Sequence, residues 1–314
     1  MVAPVGASTP RDPSESGERR TSGAVMRRLP LRHVLCPVDF SRFTPGCLRV
    51  ASAVARARKA SLRALHVLPS DGPAAPASLD FEDREALLSR LRASLTKAAP
   101  SYDLVGAAVR QGDPALQILH FARTTRAGVI VMSAPGASRP ERAIGPVASV
   151  VVARSECPVL TVPHKGTART GSGVFRRIVC AVDLAPSSRG VIDQALSLAW
   201  ETGGRLTYVC VLPDAGARRS AATRDRLLQA IPPEASGWCD TNVVIATGTA
   251  SAEIVRIADA QKADLVVIGA PRRWTSATHA VLGRSLCPVL VTHDVRPLPR
   301  PVPARRSDRV HTGV

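Results

Sequence analysis

An internal repeat is the feature of this 314-residue sequence that most restricts its fold. Residues Gly112–Pro135 align without a gap on Gly248–Pro271. Two more segment pairs follow in the same order, VLCPVDF (Val34–Phe40) with IVCAVDL (Ile178–Leu184) and ECPVLTV (Glu156–Val162) with LCPVLVT (Leu286–Thr292). Three matched blocks in one order predict a duplicated unit, and therefore two copies of one fold.

Each copy alternates short apolar runs with amphipathic stretches. Val34–Val38 is continuously apolar, which is typical of a strand buried on both faces of a sheet. Strands that alternate with helices predict a parallel sheet with helices on both faces, connected by right-handed crossovers. The sequence thus predicts an α/β protein of two tandem doubly wound sandwiches, each with a five-stranded parallel sheet and its own core.

The predicted strands are Val34–Val38, Leu62–Leu68, Asp103–Val109, Gly128–Met132 and Pro158–Val162, then Ile178–Val182, Leu206–Leu212, Asn242–Ala246, Leu265–Ile268 and Val289–Thr292. In the first copy, Ser41 or Thr44 is expected to cap the first helix and Asp113 the third. The two last strands are expected to pair across the domains, because an unpaired apolar edge favours aggregation.

Composition and charge separate the folded parts from the rest. Residues 1–32, 164–177 and 295–314 carry +3, +4 and +4 of the net charge of +17. We therefore predict domains at 31–163 and 176–294, a linker at 164–175, and disordered basic tails at 1–30 and 295–314. Such segments attract acidic partners weakly. No basic face with interleaved aromatics accompanies them, so nucleic acid is not the expected main partner.

Several classes of protein lack support in this sequence. It has no apolar run near the roughly 18–20 residues that a membrane span needs, and no secretory signal, so a cytoplasmic protein is expected. Its cysteines form no CxxC pair, so no zinc or dithiol site is expected, and the thiols are predicted to be small buried side chains. No Walker A, G-x-G-x-x-G or G-x-S-x-G motif occurs, and the histidines show no metal-ligand spacing.

The VDF and VDL strand ends, the glycine-bearing loop after the fourth strand and the C-P-V-L strand, each present twice, resemble the universal stress protein (UspA) family. The resemblance covers most of the chain. It implies a five-stranded α/β sandwich of the adenine-nucleotide-hydrolase-like kind, with ATP bound by some members. It also implies pairing through the last strand, which tandem members satisfy within one chain. A homodimer and an unidentified protein partner are further expectations.

Ligands of open α/β sheets bind at the carboxyl ends of the strands, where Asp39 lies. The resemblance implies that Asp39 lines a nucleotide pocket, that the strand end at Val67 holds adenine through its backbone, and that a Gly-x-x-Gly-x9-Gly-Ser/Thr loop holds the phosphates. ATP is the expected ligand of the first copy, and its predicted site residues are Pro37, Asp39, Val67, Met132, Ser133, Gly136, Gly145 and Val147.

The first copy departs from this loop pattern. Ser133 replaces the first glycine, and eight residues rather than nine separate Gly136 from Gly145. Pro146 stands at the hydroxyl position, so both the hydroxyl and an N–H donor are lost. Arg139 and Arg142 add positive charge that suits phosphate. The alternative is that the aspartate supports the next helix and the loop is a solvated surface turn.

The second copy departs further. Arg272 replaces the second glycine, and the next helix starts soon afterwards, so the loop is too short to enclose a triphosphate. We interpret this copy as degenerate. Its corresponding residues are Asp183, Val211, Gly269, Arg272 and Ser276.

Three functions remain open. The first is a stress or signalling protein that binds ATP in the first copy and acts through a partner, without turnover. The second is a nucleotide-independent scaffold with degenerate pockets and partner-recruiting tails. The third, with least support, is a weak ATPase.

Overall fold

The computed structural model describes residues 31–70, 80–100, 102–134, 144–163, 175–185, 188–214, 216–270 and 276–293. The two predicted tails and nearly all of the predicted linker lie outside these ranges.

The first half contains five strands and four helices. They are β1 (His33–Pro37), α1 (Thr44–Arg58), β2 (Ser61–Leu68), α2 (Phe81–Ala98), β3 (Val105–Gln111), α3 (Pro114–Thr124), β4 (Val129–Ser133), α4 (Pro146–Arg154) and β5 (Val159–Val162).

The second half repeats this order. Its elements are β6 (Arg177–Ala181), α5 (Ser188–Thr202), β7 (Arg205–Leu212), α6 (Ala217–Ala230), a 3₁₀-helix (Pro233–Gly237), β8 (Asp240–Thr247), α7 (Ala250–Ala260), β9 (Leu265–Gly269), α8 (Ser276–Arg284) and β10 (Val289–Thr292). Every predicted strand is present within two residues of its expected bounds. The short 3₁₀-helix was not predicted.

The ten strands form one sheet in the order β3-β2-β1-β4-β5-β10-β9-β6-β7-β8. All neighbours are parallel except β5 and β10, which pair antiparallel with Leu160 opposite Leu290. The Thr161 hydroxyl also donates a hydrogen bond to the Val289 carbonyl across this pair (3.2 Å). The tandem α/β sandwiches and the pairing of their last strands are therefore confirmed, and the two predicted sheets form one continuous sheet.

Two apolar layers cover the faces of this sheet, and each runs through both halves. One layer contains buried side chains of α1, α2, α5 and α6, and the other contains those of α3, α4, α7 and α8. The central strands feed both layers, since Leu160 lies in the first and Val159 in the second. The expectation of a separate core for each copy is wrong. Side chains of β5 and β10 alternate between the two faces of the sheet, so each layer continues from the first half into the second.

Polar contacts also join the halves. The Arg58 guanidinium at the end of α1 lies 2.8 Å from the Glu201 carboxylate near the end of α5, with both side chains largely buried. His293 Nε2, just after β10, lies 2.7 Å from the Val152 carbonyl oxygen of α4. The halves are therefore linked along the helices as well as through the sheet.

The duplication extends to backbone conformation. Phe40 and Leu184, which follow the strand-end aspartates, both have positive φ (53° and 60°). Gly112 and Gly248, before α3 and α7, have φ of 134° and 135°. A side chain at the latter positions would strain the backbone, which explains why glycine occurs in both copies.

The predicted helix caps have different outcomes. Asp113 Oδ1 accepts a hydrogen bond from the Leu116 N–H (2.8 Å), which confirms this cap of α3. Ser41 and Thr44 do not cap α1, because Phe43 occupies the N-cap position and makes no side-chain cap bond. The Thr44 hydroxyl instead donates to Asp39 (3.3 Å).

Six of the seven cysteines are buried and Cys157 is half-buried, and all are unpaired thiols, as predicted. Over the described part of the chain, no helix combines the length and apolarity needed to cross a membrane.

Candidate functional site

The strand order places a crevice at the carboxyl ends of β1 and β4. From β1 the chain moves outward through β2 and β3, and it then returns through α3 to place β4 on the other side of β1. The loops that leave β1 and β4 therefore run in opposite directions and open a gap between them. The same arrangement recurs at β6 and β9 in the second half.

Asp39 is exposed just beyond the end of β1. Its Oδ1 accepts hydrogen bonds from the Ser41 N–H (3.0 Å) and the Thr44 hydroxyl (3.3 Å), so this oxygen holds the β1–α1 loop. The alternative interpretation, that the aspartate supports the next helix, therefore has direct structural support. Oδ2 forms no hydrogen bond with the described residues, so it can accept one from a ligand.

Asp183 has the same role in the second half. Its Oδ1 accepts hydrogen bonds from the Ala185 N–H (3.0 Å) and the Ser188 hydroxyl. Since both aspartates hold matching loops, the duplicated VD sequence has a structural cause that is independent of any ligand.

Val67 lies where β2 extends beyond β1. The Leu65 carbonyl accepts the Val38 N–H (2.8 Å), which is the last backbone bond from the β1 segment to β2. Backbone groups two residues apart point to the same side of a strand, so the N–H and C=O of Val67 face the crevice past the end of β1. The corresponding bond from Val182 to Val209 (2.9 Å) leaves Val211 in the same position.

The side chains of Val67 and Met132 are buried in the α3/α4 layer, and Pro37 is half-buried at the end of β1. Core packing accounts for these side chains. Any ligand contact from Val67 would therefore come from its backbone.

The start of α4 offers few donors to a phosphate. Gly145 is the N-cap of α4, and its N–H donates to the Ala134 carbonyl (2.8 Å). Pro146 follows without an N–H, so Val147 and Ala148 supply the outward N–H groups of the first turn. Ser133 is the last residue of β4, whereas Gly136, Arg139 and Arg142 lie outside the described residues.

The connection from the fourth strand to the last helix is shorter in the second half. Residues 270–275 join β9 to α8, half as many as the residues 134–145 that join β4 to α4. Gly269 ends β9, where an added Cβ would lie 3.0 Å from Val191, and Ser276 is exposed at the start of α8. Arg272 lies outside the described residues.

One group at the first crevice was missed from the sequence. The His66 ring lies 4.5 Å from the Phe40 ring, and the Arg90 guanidinium carbon lies 4.2 Å from the centre of the same Phe40 ring. His66 Nδ1 is 2.7 Å from the Val38 carbonyl oxygen. Burial lowers the pKa of His66, so its imidazole is neutral near pH 7. This stack stiffens the strand ends on the α1/α2 side.

The second half carries a partly different set at these positions. Cys210 stands at the position of His66. Burial, and to a smaller extent the negative charge of Asp183, raises the pKa of the Cys210 thiol, whereas the positive charge of Arg226 lowers it. Arg90 and Arg226 are separated by the same number of positions as the two copies of the longest repeated block, Gly112–Pro135 and Gly248–Pro271. An alignment of α2 with α6 at this offset would have shown that both copies have an arginine here.

Two thiols lie close together near the first crevice, Cys36 in β1 and Cys47 in α1. Their sulfurs are 3.6 Å apart and both residues are buried. The hydrogen bond with Cys47, together with burial, raises the pKa of the Cys36 thiol. A thiol with a raised pKa is a poor nucleophile. Within the described ranges, no cluster of three or more metal-ligating side chains occurs.

Comparisons with known proteins agree with this geometry. The model of the universal stress protein family matches residues 30–163 and 175–293. A universal stress protein from Archaeoglobus fulgidus is 20% identical with a TM-score of 0.64, over 84% of this chain and 98% of that one. A putative universal stress protein from Pseudomonas aeruginosa is 18% identical with a TM-score of 0.59, over 85% and 94%.

A universal stress protein from Archaeoglobus fulgidus, solved in complex with dAMP, is 22% identical with a TM-score of 0.34, over 38% of this chain and 98% of that one. None of the curated proteins matches the chain. Because the family model matches both repeats, and the ten-stranded sheet carries the matching strand ends twice, the chain belongs to the universal stress protein family.

Proposed function

We propose that this chain is a cytoplasmic stress-response or signalling protein that binds an adenine nucleotide, with ATP as the expected ligand, in the first-half crevice. Its output is the binding of a protein partner, not turnover. The observation that carries the proposal is the backbone of Val67, which faces the crevice beyond the end of β1 beside the Asp39 carboxylate. We propose the domain boundaries 31–163 and 176–294 for the two repeats.

Adenine recognition needs a donor and an acceptor side by side. The N–H and C=O of Val67 supply this pair on one strand edge, and no neighbouring strand uses them. Asp39 Oδ2 accepts a hydrogen bond from a ribose hydroxyl or an adenine amine. This arrangement uses backbone groups for the base and one side chain for orientation, which suits an open crevice.

The part of the crevice proposed to hold the phosphates offers fewer hydrogen-bond donors than a complete phosphate loop. The amino end of α4 carries positive potential and the N–H groups of Val147 and Ala148, which favour an anion. Our proposal assigns Arg139 and Arg142 to the same end. With Pro146 in place of a donor, we expect nucleotide affinity in the micromolar to millimolar range rather than tighter.

The contacts of the crevice residues favour binding over chemistry. Asp39 Oδ1 is occupied by two loop bonds, and His66 Nδ1 is at hydrogen-bond distance from the Val38 carbonyl. We therefore assign this carboxylate and this imidazole to orientation of the ligand rather than to activation of water. A weak ATPase is the third candidate for this reason.

The nucleotide-independent scaffold is the second candidate, and a specific observation favours it. The Gly145 N–H is already bonded to Ala134, and Pro146 has none, so two of the four donors of a helix start are unavailable. In that case the basic segments 1–32, 164–177 and 295–314 would recruit an acidic protein, or a second copy would form a homodimer.

Calorimetric titration of ATP, with and without magnesium, tests the proposal. We expect binding by the wild type, about tenfold weaker binding by Asp39→Ala because a charged acceptor is lost, and unchanged binding by the matched variant Asp183→Ala. Thr44→Val is the loop control, since it removes one bond to Asp39 and leaves the carboxylate. No heat and no change in melting temperature at millimolar ATP would overturn the nucleotide proposal and favour the scaffold.

A further inference from the structure

A groove lies near the amino ends of β4 and β5, whereas the nucleotide crevice lies at the carboxyl ends of the strands. It runs along α3 and is closed on its other side by the turn between α4 and β5. Its volume is about 510 Å³, within the range of roughly 300–1,000 Å³ that is usual for small-molecule sites. Because it opens at the amino ends of β4 and β5, it shares no residue with the proposed nucleotide site.

The floor of the groove is a rigid turn. The Ser155 hydroxyl donates to the Cys157 carbonyl (2.7 Å), and the Cys157 N–H donates back to the Ser155 hydroxyl (3.2 Å). On the α3 side, the Thr125 hydroxyl donates to the Phe121 carbonyl (2.7 Å) and closes the last helical turn. The backbone around the groove is therefore held before any ligand binds, which lowers the part of the entropic cost of binding that comes from ordering the backbone.

The walls combine apolar and basic side chains. Leu116 and Leu119 form an apolar strip on α3, and Leu116 is 54% exposed. Arg123, Arg126 and Arg154 line the same groove. The guanidinium groups of these arginines form no ion pair or hydrogen bond with any residue that the structure describes.

One acidic side chain, Glu156, and one histidine, His120, also line the groove. Three arginines against one glutamate leave an excess of positive charge beside the apolar strip. A ligand that matches both features has an anionic head and an apolar body.

The corresponding region of the second half, along α7, keeps two of the three positive charges, because Lys262 and Arg284 stand where Arg126 and Arg154 stand in the first half. Its floor is the same, since the Ser285 hydroxyl donates to the Cys287 carbonyl (2.8 Å). Asp259 stands where Arg123 stands in the first half, and Arg256 is paired with Glu253 (2.7 Å). The fold therefore forms without a cation at this helix end, because α7 has an acidic residue at the position of Arg123.

We propose that the α3–α4 groove is a binding site for a small organic anion, a carboxylate or phosphate monoester with an apolar body. Its head binds Arg123, Arg126 and Arg154, and its body packs on Leu116 and Leu119. Guanidinium groups hold carboxylate and phosphate oxygens in paired hydrogen bonds, which gives the head its specificity.

Calorimetry with octyl phosphate, below the concentration at which it forms micelles, tests this site in the full chain. We expect one molecule bound per chain, with inorganic phosphate and 1-octanol each at least about tenfold weaker, because each lacks one of the two features. The triple variant Arg123→Gln, Arg126→Gln, Arg154→Gln should bind octyl phosphate at least about tenfold more weakly. Binding should persist with saturating ATP and in Asp39→Ala, so it is independent of the nucleotide proposal.

The second half supplies the matched control. Arg256→Gln, Lys262→Gln, Arg284→Gln removes three positive charges from the corresponding region of the second half, where Lys262 and Arg284 match Arg126 and Arg154 and Arg256 matches His120, and we expect less than about a twofold change. Equal weakening in both triple variants would show unspecific attraction to a basic protein and overturn the site. Equal binding of 1-octanol, or binding only to phosphatidylglycerol vesicles and not to dissolved octyl phosphate, would also overturn it. Melting temperatures of both variants verify that they are folded.

Discussion

The two halves of the molecule share one fold but differ where they meet solvent. The strands pair in the same order, and the turns at Phe40 and Leu184 have the same conformation. The connection before the last helix is twice as long in the first half, and the groove along α3 has Arg123 at the position where α7 has Asp259. Close packing restrains the buried elements, whereas exposed loops and grooves are free to diverge.

The start of the first strand shows the same contrast at a buried position. In the second half the Asp264 carboxylate, buried beside β6, accepts hydrogen bonds from the N–H groups of Arg176 (3.0 Å) and Arg177 (2.9 Å). In the first half Gly128 occupies this position, and an added Cβ would lie 2.6 Å from Leu31. One copy thus anchors its first strand with a carboxylate, and the other does so by close apolar contact.

The largest expected effect comes from the facing leucines of β5 and β10, and it tests whether the two halves are equivalent where their strands pair. Leu160→Ala and Leu290→Ala should each lower the free energy of unfolding by about 2–5 kcal/mol, because each leaves a cavity in the same layer. Urea unfolding measured by circular dichroism should show a single transition for both. Leu104→Ala, at a 52% exposed position, is the control and should change stability by less than about 0.5 kcal/mol. Two separate transitions would show that the halves unfold independently.

The next effect concerns the strand anchor that only the second half has. Asp264→Ala should lower the free energy of unfolding by about 2–3 kcal/mol, because two backbone N–H groups lose a charged acceptor. Asp264→Asn keeps one oxygen acceptor and should lie between Ala and the wild type. Chemical denaturation of the three proteins measures this order. Wild-type stability in Asp264→Ala would mean that the anchor contributes nothing.

A smaller effect is expected for the ion pair between the halves. The positions that correspond to Arg58 and Glu201 in the other repeat are Thr202 and Ala57, so this pair occurs once. Glu201→Gln should cost about 1–2 kcal/mol, since partial exposure reduces the penalty of losing the charged contact with Arg58. The cost should be smaller in the Arg58→Gln background, and a double-mutant cycle measures this coupling. A coupling energy of zero would contradict the interaction.

The smallest effect concerns the pH dependence that His66 gives to the first half. Burial lowers the pKa of His66 in the folded chain, so below about pH 6.5 the unfolded chain binds more protons than the folded one. Stability should therefore fall as the pH drops through that value and level off below the folded pKa. The melting temperature should fall between about pH 7.5 and about pH 5.5, and His66→Cys, the residue of the second half, should reduce this slope. His293, whose pKa burial also lowers, contributes in the same direction. An unchanged slope would contradict the role of His66.

Much of the fold could be predicted because its signals are local. Continuous apolar runs such as Val34–Val38 indicated buried strands, and Asp113 indicated a helix start that the structure shows one residue later. The N-cap of α1 could not be predicted in this way, because the Thr44 hydroxyl is drawn to Asp39 in the preceding loop. Side-chain hydrogen bonds of this kind depend on loop conformation, which residue preferences do not specify.

The candidate site was only partly predictable. The position of Asp39 at a strand end follows from the sequence. The hydrogen bond from the Gly145 N–H to the Ala134 carbonyl, which makes this N–H unavailable to a ligand, depends instead on the conformation of the chain around both residues. The contact of Arg90 with Phe40 joins a helix and a loop that are far apart in sequence. The groove along α3 likewise needs α4 beside it, so no motif could indicate it.

The sequence by itself determined the duplication, the order of strands and helices, and the strand-end aspartates, because each depends on periodicity or residue type within a short segment. The tertiary structure alone decided that the two apolar layers are continuous, that Val67 turns its backbone to an open crevice, and that three arginines line one groove. These features require contacts between distant segments, as in the hydrogen bond from Thr161 to Val289, 128 positions apart. Such contacts form only when the whole chain packs into one sheet.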